Sequence, residues 1–196
     1  IELLKELDSD LFLKLNALGH PWLDQVMWYI SQKETWIPVY LLFAWWIWEV
    51  KGGKALLVAM VSIGCVITLA DQSSVHLFKE VFLRYRPTHN LDIGNQVLTV
   101  INPEGNEYRG GRYGFVSSHA ANNFGVAYFL FLFIRPSWWM WTLLLFIWAG
   151  IISYSRIYLG VHYPGDIIGG AFLGFLCAMI VYYAYQLLNG KFNWVK

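Results

Sequence analysis

Charge is what this chain has least of. Asp, Glu, Lys and Arg together make up 14% of its 196 residues, against roughly 25% in an average soluble domain. The formal net charge is +1, and no block of like charges occurs. General affinity for polyanions is therefore not expected, and nucleic acid is excluded as a partner class. Cysteine is almost absent: Cys65 and Cys177 both lie in long apolar runs. They are expected to be buried structural thiols, not parts of a disulfide framework. No internal repeat and no low-complexity tract appears, which argues against a repeat array. No basic start followed by a small-residue cleavage site is visible, and a few residues are expected to precede Ile1.

Hydrophobic residues fill this space, at 57% of the chain, with 18% aromatics and 11 Trp. Trp and Tyr favour membrane interfaces, where an apolar ring can keep a polar tip wet. In residues 2–17, Leu3, Leu4, Leu7, Leu11, Phe12 and Leu15 recur at helical spacing among Lys5, Glu6, Asp8, Asp10 and Lys14. That segment is too charged to span and suits an amphipathic interfacial helix, with a second from Pro21 to Ser31. Spans are expected at Thr35–Val50, Lys54–Phe82, His119–Ile134, Ser137–Tyr154 and Asp166–Leu188. Some fall short of the roughly 20 residues a span needs, so tilt and snorkelling aromatics must help. The expected fold is an all-α polytopic membrane bundle of about five to six transmembrane helices behind amphipathic N-terminal helices. Residues 1–196 read as one domain, with 1–33 interfacial and 87–116 a glycine-containing extracytoplasmic loop. A polar loop of that length is more often functional than incidental.

Orientation is argued from charge. Lys51, Lys54, Arg135, Lys191 and Lys196 follow span ends without an accompanying motif, so their side reads as cytoplasmic. The opposite side holds Lys79, Arg84, Arg86, Arg109, Arg112 and Arg156, several of them within a candidate anion site.

Three segments deliver that site. In the first, Lys79 and Arg86 are seven residues apart, just before Pro87. On one helix they would leave nearly the same face, about 10 Å apart along the axis, and could close on one oxyanion. The second, Ser117-Ser118-His119, opens an apolar run, where serines cap a helix whose free N–H groups favour anions. The third runs from Ser155-Arg156 through Gly160 to His162, Pro164, Gly165 and Asp166. Its glycines and proline turn the chain. Asp166 can then accept from one nitrogen of His162 and leave the other free to attack. Cations clustered in a bilayer need a compensating ligand, since each costs roughly 2.5–3.5 kcal/mol even on lenient scales. A phosphate is the natural one; taken singly, the segments also read as snorkelling cations at a span end, a capped helix with an interfacial His, and a structural His–Asp pair at a loop.

These segments resemble the motifs of the type-2 phosphatidic acid phosphatase superfamily, which also includes vanadium haloperoxidases. Lys, six residues, then Arg-Pro is met from Lys79 to Pro87; Ser-Arg, five residues, His, three residues, Asp is met from Ser155 to Asp166. The usual Pro-Ser-Gly-His reads Val116-Ser117-Ser118-His119 here, and the likeness spans roughly Lys54 to Leu188. The resemblance implies a metal-independent phosphatase needing no cofactor, with a lipid phosphate or pyrophosphate as partner and the surrounding bilayer as its medium. It implies His162 as nucleophile, Asp166 as its orienting base, and His119 as general acid. It implies Lys79, Arg86, Arg156, Ser117 and Ser118 as the phosphate cradle. Undecaprenyl pyrophosphate and phosphatidylglycerol phosphate are expected ahead of lipid A 1-phosphate. Transfer to a lipid acceptor and, more remotely, anion transport stay open, and oligomeric state is not legible. Asp71 and His76 are expected near the site, Arg84, Arg109 and Arg112 at the solvated surface, and His20 and His89 exposed.

Overall fold

The computed structural model describes residues 2–135 and 138–192. Ser137 and Lys196, used above for a span start and for the charge count, lie outside the described residues. Eight α-helices are described: α1 (Glu2–Asn16), α2 (Pro21–Ser31), α3 (Ile37–Lys51), α4 (Gly53–Ser73), α5 (Glu80–Phe82), α6 (Ser118–Ile134), α7 (Trp139–Tyr158) and α8 (Pro164–Phe192). A π-helical turn, Ser74–Lys79, fuses α4 and α5 into one rod. Three of the described helical stretches are long and apolar enough to cross a membrane: Gly53–Phe82, Trp139–Tyr158 and Pro164–Phe192. The all-α expectation holds. Two of the expected spans, α3 and α6, have only 15 and 17 residues, short of the roughly 20 that cross a bilayer without tilt or thinning.

The short α6 is nevertheless the axis of the bundle, packing against α4, α7 and α8. In lipid the hydrophobic effect cannot drive helices together, so small residues that permit close approach do. Gly170 and Gly174 of α8 face α6 so closely that a Cβ at Gly170 would strike the Ser117 carbonyl, and one at Gly174 the Ala121 carbonyl. Across the bundle, Trp148 of α7 receives Trp36, Tyr40 and Phe43 edge-on at 5.3–6.1 Å. Such aromatic pairs contribute about 0.5–1.5 kcal/mol each and seat α3 on α7. The outward faces remain apolar, as Leu41, Leu57, Val61 and Ile168 show. Cys65 is exposed and only Cys177 is buried, which corrects the expectation of two buried thiols. On a helix bathed in lipid, an outward thiol needs no protein cover.

Helices α1 and α2 lie against α7 and, for α1, also α8. The Leu3, Leu4, Leu7 and Leu11 stripe of α1 faces outward, and Phe12 is fully buried, its ring 5.4 Å from that of Tyr163. Asn16 ties the end of α1 to the end of α7 and to the long loop: its amide donates to the Tyr158 and Leu98 carbonyls (2.9 and 3.1 Å) and its oxygen accepts from the Leu98 N–H (2.8 Å).

Candidate active site

The first motif is not one helical face. The helix ends at Phe82, Leu83 takes a left-handed conformation (φ 49°), and Arg84–Arg86 run extended. The residue before a proline is disfavoured in the α region, so Pro87 ends the helix upstream of itself. The freed backbone is satisfied by the long loop: Arg86 N–H donates to the Arg112 carbonyl (3.0 Å) and Gly114 N–H to the Arg84 carbonyl (2.9 Å). Lys79 and Arg86 still line one cavity, reaching it from a π turn and from a loop. The loop itself is built: Asn102 accepts from the Glu104 and Asn106 amides (3.1 and 2.8 Å), and Ile101 bridges to Glu107.

That cavity, about 320 Å³, is lined by Lys79, Arg86, Ser118, His119, Arg156 and His162 together with Asp71, Tyr108 and Asn122. Chain separation between its walls exceeds eighty residues, and α6–α8 contact closes the distance. Ser117 donates its N–H to the Asp166 carbonyl (3.0 Å), so the start of α6 is bonded directly to the start of α8.

His162 is buried, and its Nδ1 lies 3.3 Å from Asp166 Oδ2. The same oxygen accepts the Tyr163 N–H (3.1 Å). A proton on Nδ1, shared with this carboxylate, would leave Nε2 proton-free. Burial holds the imidazole well below the usual histidine range, reinforced by Arg86, Arg156 and Lys79. Burial and these cations therefore favour the neutral imidazole. Arg86 is itself pushed down by burial and by Arg156, although its Nε donates to the Tyr113 carbonyl (3.0 Å). Crowded cations of this kind await an anion.

Arg156 is held from two sides. One Nη donates to Ser31 of α2, the other to the Tyr108 hydroxyl at 2.8 Å, and Nε has no partner among the described residues. A buried donor without a partner costs about 1–3 kcal/mol; a phosphoryl oxygen would satisfy it. Lys79 donates to Ser118 Oγ (2.6 Å), which lies 2.6 Å from Ser74 Oγ, and Ser74 donates to the Asp71 carbonyl (2.8 Å). The hydroxyl that replaces the superfamily's glycine thus meets the cavity's lysine. Ser117 is otherwise engaged: fully buried and outside the cavity lining, it accepts from the Ala120 N–H (3.4 Å) as the cap of α6.

Asp71 lines the cavity as expected, whereas His76 pairs with Glu80 (2.9 Å) on an exposed face. His20 is exposed and His89 half-buried against Thr88 (3.1 Å). Arg109 and Arg112 sit at the surface beside Glu107 and Tyr85. Arg84 does not, and this corrects its placement: it bridges Asp166 Oδ1 and Asp8 Oδ2, both at 2.8 Å. Nothing in its spacing could have separated it from Arg112, since both partners are remote in the chain. Tyr108 and Ser31 escaped the sequence reading for the same reason.

A second, apolar cavity of about 700 Å³ opens beside the first, between α3, α4, α6 and α7. Tyr40, Ile47, Met60 and Trp148 line it, and His119 and Asn122 belong to both walls. Asn122 Oδ1, at this junction, is buried without a partner among the described residues.

A helical membrane bundle with a cationic, imidazole-bearing cavity beside an apolar one defines a class of membrane phosphate-handling proteins. Residues 52–189 match the PAP2 superfamily, and the chain belongs to that family. It is 35% identical to a lipid A 4′-phosphatase of Porphyromonas gingivalis, over all of this chain and 79% of that protein. It is 32% identical to a lipid A 4′-phosphatase of Bacteroides thetaiotaomicron, over 97% of this chain and 82% of that one. Its fold is shared with a transmembrane PAP2-type phosphatidylglycerolphosphate phosphatase from Bacillus subtilis (TM-score 0.66, 21% identity, 95% of this chain and 88% of that one).

Proposed function

We propose that the cationic cavity is the active site of an integral-membrane phosphatase acting on a bacterial envelope lipid, with His162 as its nucleophile. One observation carries the reading: His162, His119, Lys79, Arg86 and Arg156 line one cavity, and His119 also borders the apolar cavity next to it. A headgroup phosphate fits the first and an acyl or prenyl tail the second.

His162 Nε2 attacks phosphorus, and the bond to the lipid oxygen breaks as His119 gives that oxygen a proton. Water then attacks the phosphohistidine, loses its proton to His119, and the N–P bond breaks to release phosphate. Asp166 holds the Nδ1 proton and stabilises the charged ring. Lys79, Arg86, Arg156 and Ser118 take up phosphoryl charge, while Ser117 contributes through the α6 cap.

The site faces the extracytoplasmic side. Lys51 sits 5.7 Å over Phe133, at the end of the bundle away from the cavity, and Lys54, Arg135 and Lys191 terminate helices at that end. With the cations of the site itself set aside, the positive-inside rule makes that end the cytoplasmic one. The two lipid A 4′-phosphatases support a phosphorylated glycolipid as the first substrate to test, ahead of the isoprenoid pyrophosphate and phosphatidylglycerol phosphate that were expected first. Purified protein in detergent should release phosphate from one of lipid A, undecaprenyl pyrophosphate, phosphatidylglycerol phosphate or phosphatidic acid. The His162→Ala protein should release none. Undiminished release by His162→Ala would refute the assignment, and phosphate appearing on a lipid acceptor instead of in solution would make the enzyme a transferase.

A further inference from the structure

Two arginines, Arg84 and Arg86, stand two residues apart and serve opposite sides of the same catalytic pair. Arg86 lines the cavity. Arg84 does not line it; the side chain is partly exposed (24%), and its two terminal nitrogens are divided between two carboxylates. Nη1 donates to Asp166 Oδ1 and Nη2 to Asp8 Oδ2, each at 2.8 Å. Its guanidinium lies 4.0 Å from the centre of the Tyr163 ring. Asp8 uses its other oxygen to accept the Gly165 N–H at 2.7 Å. The carboxylate of Asp8 therefore grips the His162–Asp166 turn twice: once through backbone, once through Arg84.

We infer that Arg84 and Asp8 are positioning residues that hold Asp166 in register with His162, making the interfacial helix α1 a structural part of the catalytic assembly. The physical need is plain. Asp166 is fully buried, and a buried carboxylate without a charged partner is costly. Both of its oxygens must also be aimed, one at His162 and one elsewhere. A planar guanidinium stacked on an aromatic ring fixes the second oxygen in direction as well as distance, which in turn fixes the first. Neither residue lines the cavity.

The inference rests on the phosphohistidine reading and is tested so that the two can fail separately. In purified protein, Arg84→Gln should lower kcat about 10²-fold, the loss expected of an ångström-scale misplacement of reacting groups, while KM changes less than about threefold, because ground-state phosphate contacts remain. Arg84→Lys should recover part of the loss. Asp8→Asn, which keeps the acceptor for Gly165 but loses its charge, should fold and show a smaller fall in kcat. In an Asp166→Asn background, Arg84→Gln should cost no more than about twofold further, since residues acting as a unit are not additive. An undiminished kcat in Arg84→Gln and Asp8→Asn would overturn the inference. So would a full second loss in the Asp166→Asn background. Rapid-quench detection of phosphohistidine in the unaltered protein tests the parent reading on its own: a missing phosphoenzyme sinks that reading, whereas its presence together with an indifferent Arg84→Gln sinks only this one.

Discussion

The two cavities share a wall and little else. The smaller is crowded with donors, two of its polar atoms lack partners among the described residues, and it is roofed by a loop and the ends of three helices. The larger lies between the helices and is lined chiefly by aromatic and aliphatic side chains, with Ser31, Gln32, Lys33 and Asn123 among them. Cations that repel one another raise the energy of the empty small cavity and return it when an anion binds. The large cavity has Lys33 as the one Lys or Arg in its lining and offers chiefly packing. Under the proposed function, chemistry and tail recognition are thereby separated, with His119 and Asn122 lining both cavities.

That separation can be broken from either side. Arg156→Ala removes the donor set anchored by Ser31 and Tyr108 and should lower kcat/KM by about 10³-fold, in line with loss of a preorganised charge donor; equal losses on lipid and water-soluble phosphate esters are expected. Gly64→Phe fills the apolar cavity from α4, where a Cβ meets nothing within 4 Å. KM for a long-chain substrate should rise about tenfold, with kcat and the rate on a short-chain ester kept, as for loss of uniform binding. A fall in kcat on both esters would show that the cavities are not separable.

The pH dependence sharpens the same contrast. Because burial and three cations hold His162 well below the ordinary histidine range, its neutral form persists as pH falls through that range. The acid limb of kcat/KM should therefore lie below it. Arg86→Gln removes one of the cations, so the limb should move to higher pH, whereas Gly64→Phe should leave it in place. A profile unmoved by Arg86→Gln would detach Arg86 from His162. Least costly of all, Ser118→Gly frees Lys79 from its 2.6 Å partner and is expected to change kcat less than about fivefold.

Much of this was legible in advance. Long apolar runs bounded by charge announce membrane helices because the bilayer tolerates little else, and α7 and α8 were located to within a few residues. His162 and Asp166 were paired by their four-residue spacing and the intervening Pro164-Gly165, all local features. Where reading failed, distance in the chain was the cause. The helical placement of Arg86 neglected what Pro87 imposes on its predecessor, and the loop residues Arg112 and Gly114 that receive the extended strand are nearly thirty positions away. Cys65 and Cys177 look alike in sequence, and only the helix faces separate them.

Composition and local spacing were sufficient for the membrane class, the helical architecture and the basic and imidazole groups of the cavity, because hydropathy, helix periodicity and turn chemistry act over a few residues. They could not reveal that Asp8 reaches Asp166 through Arg84, that Ser31 and Tyr108 hold Arg156, or that an apolar cavity adjoins His119. Those relations join segments up to about 158 residues apart, and they exist because tertiary packing sets α1 and α2 against α7, and α1 against α8.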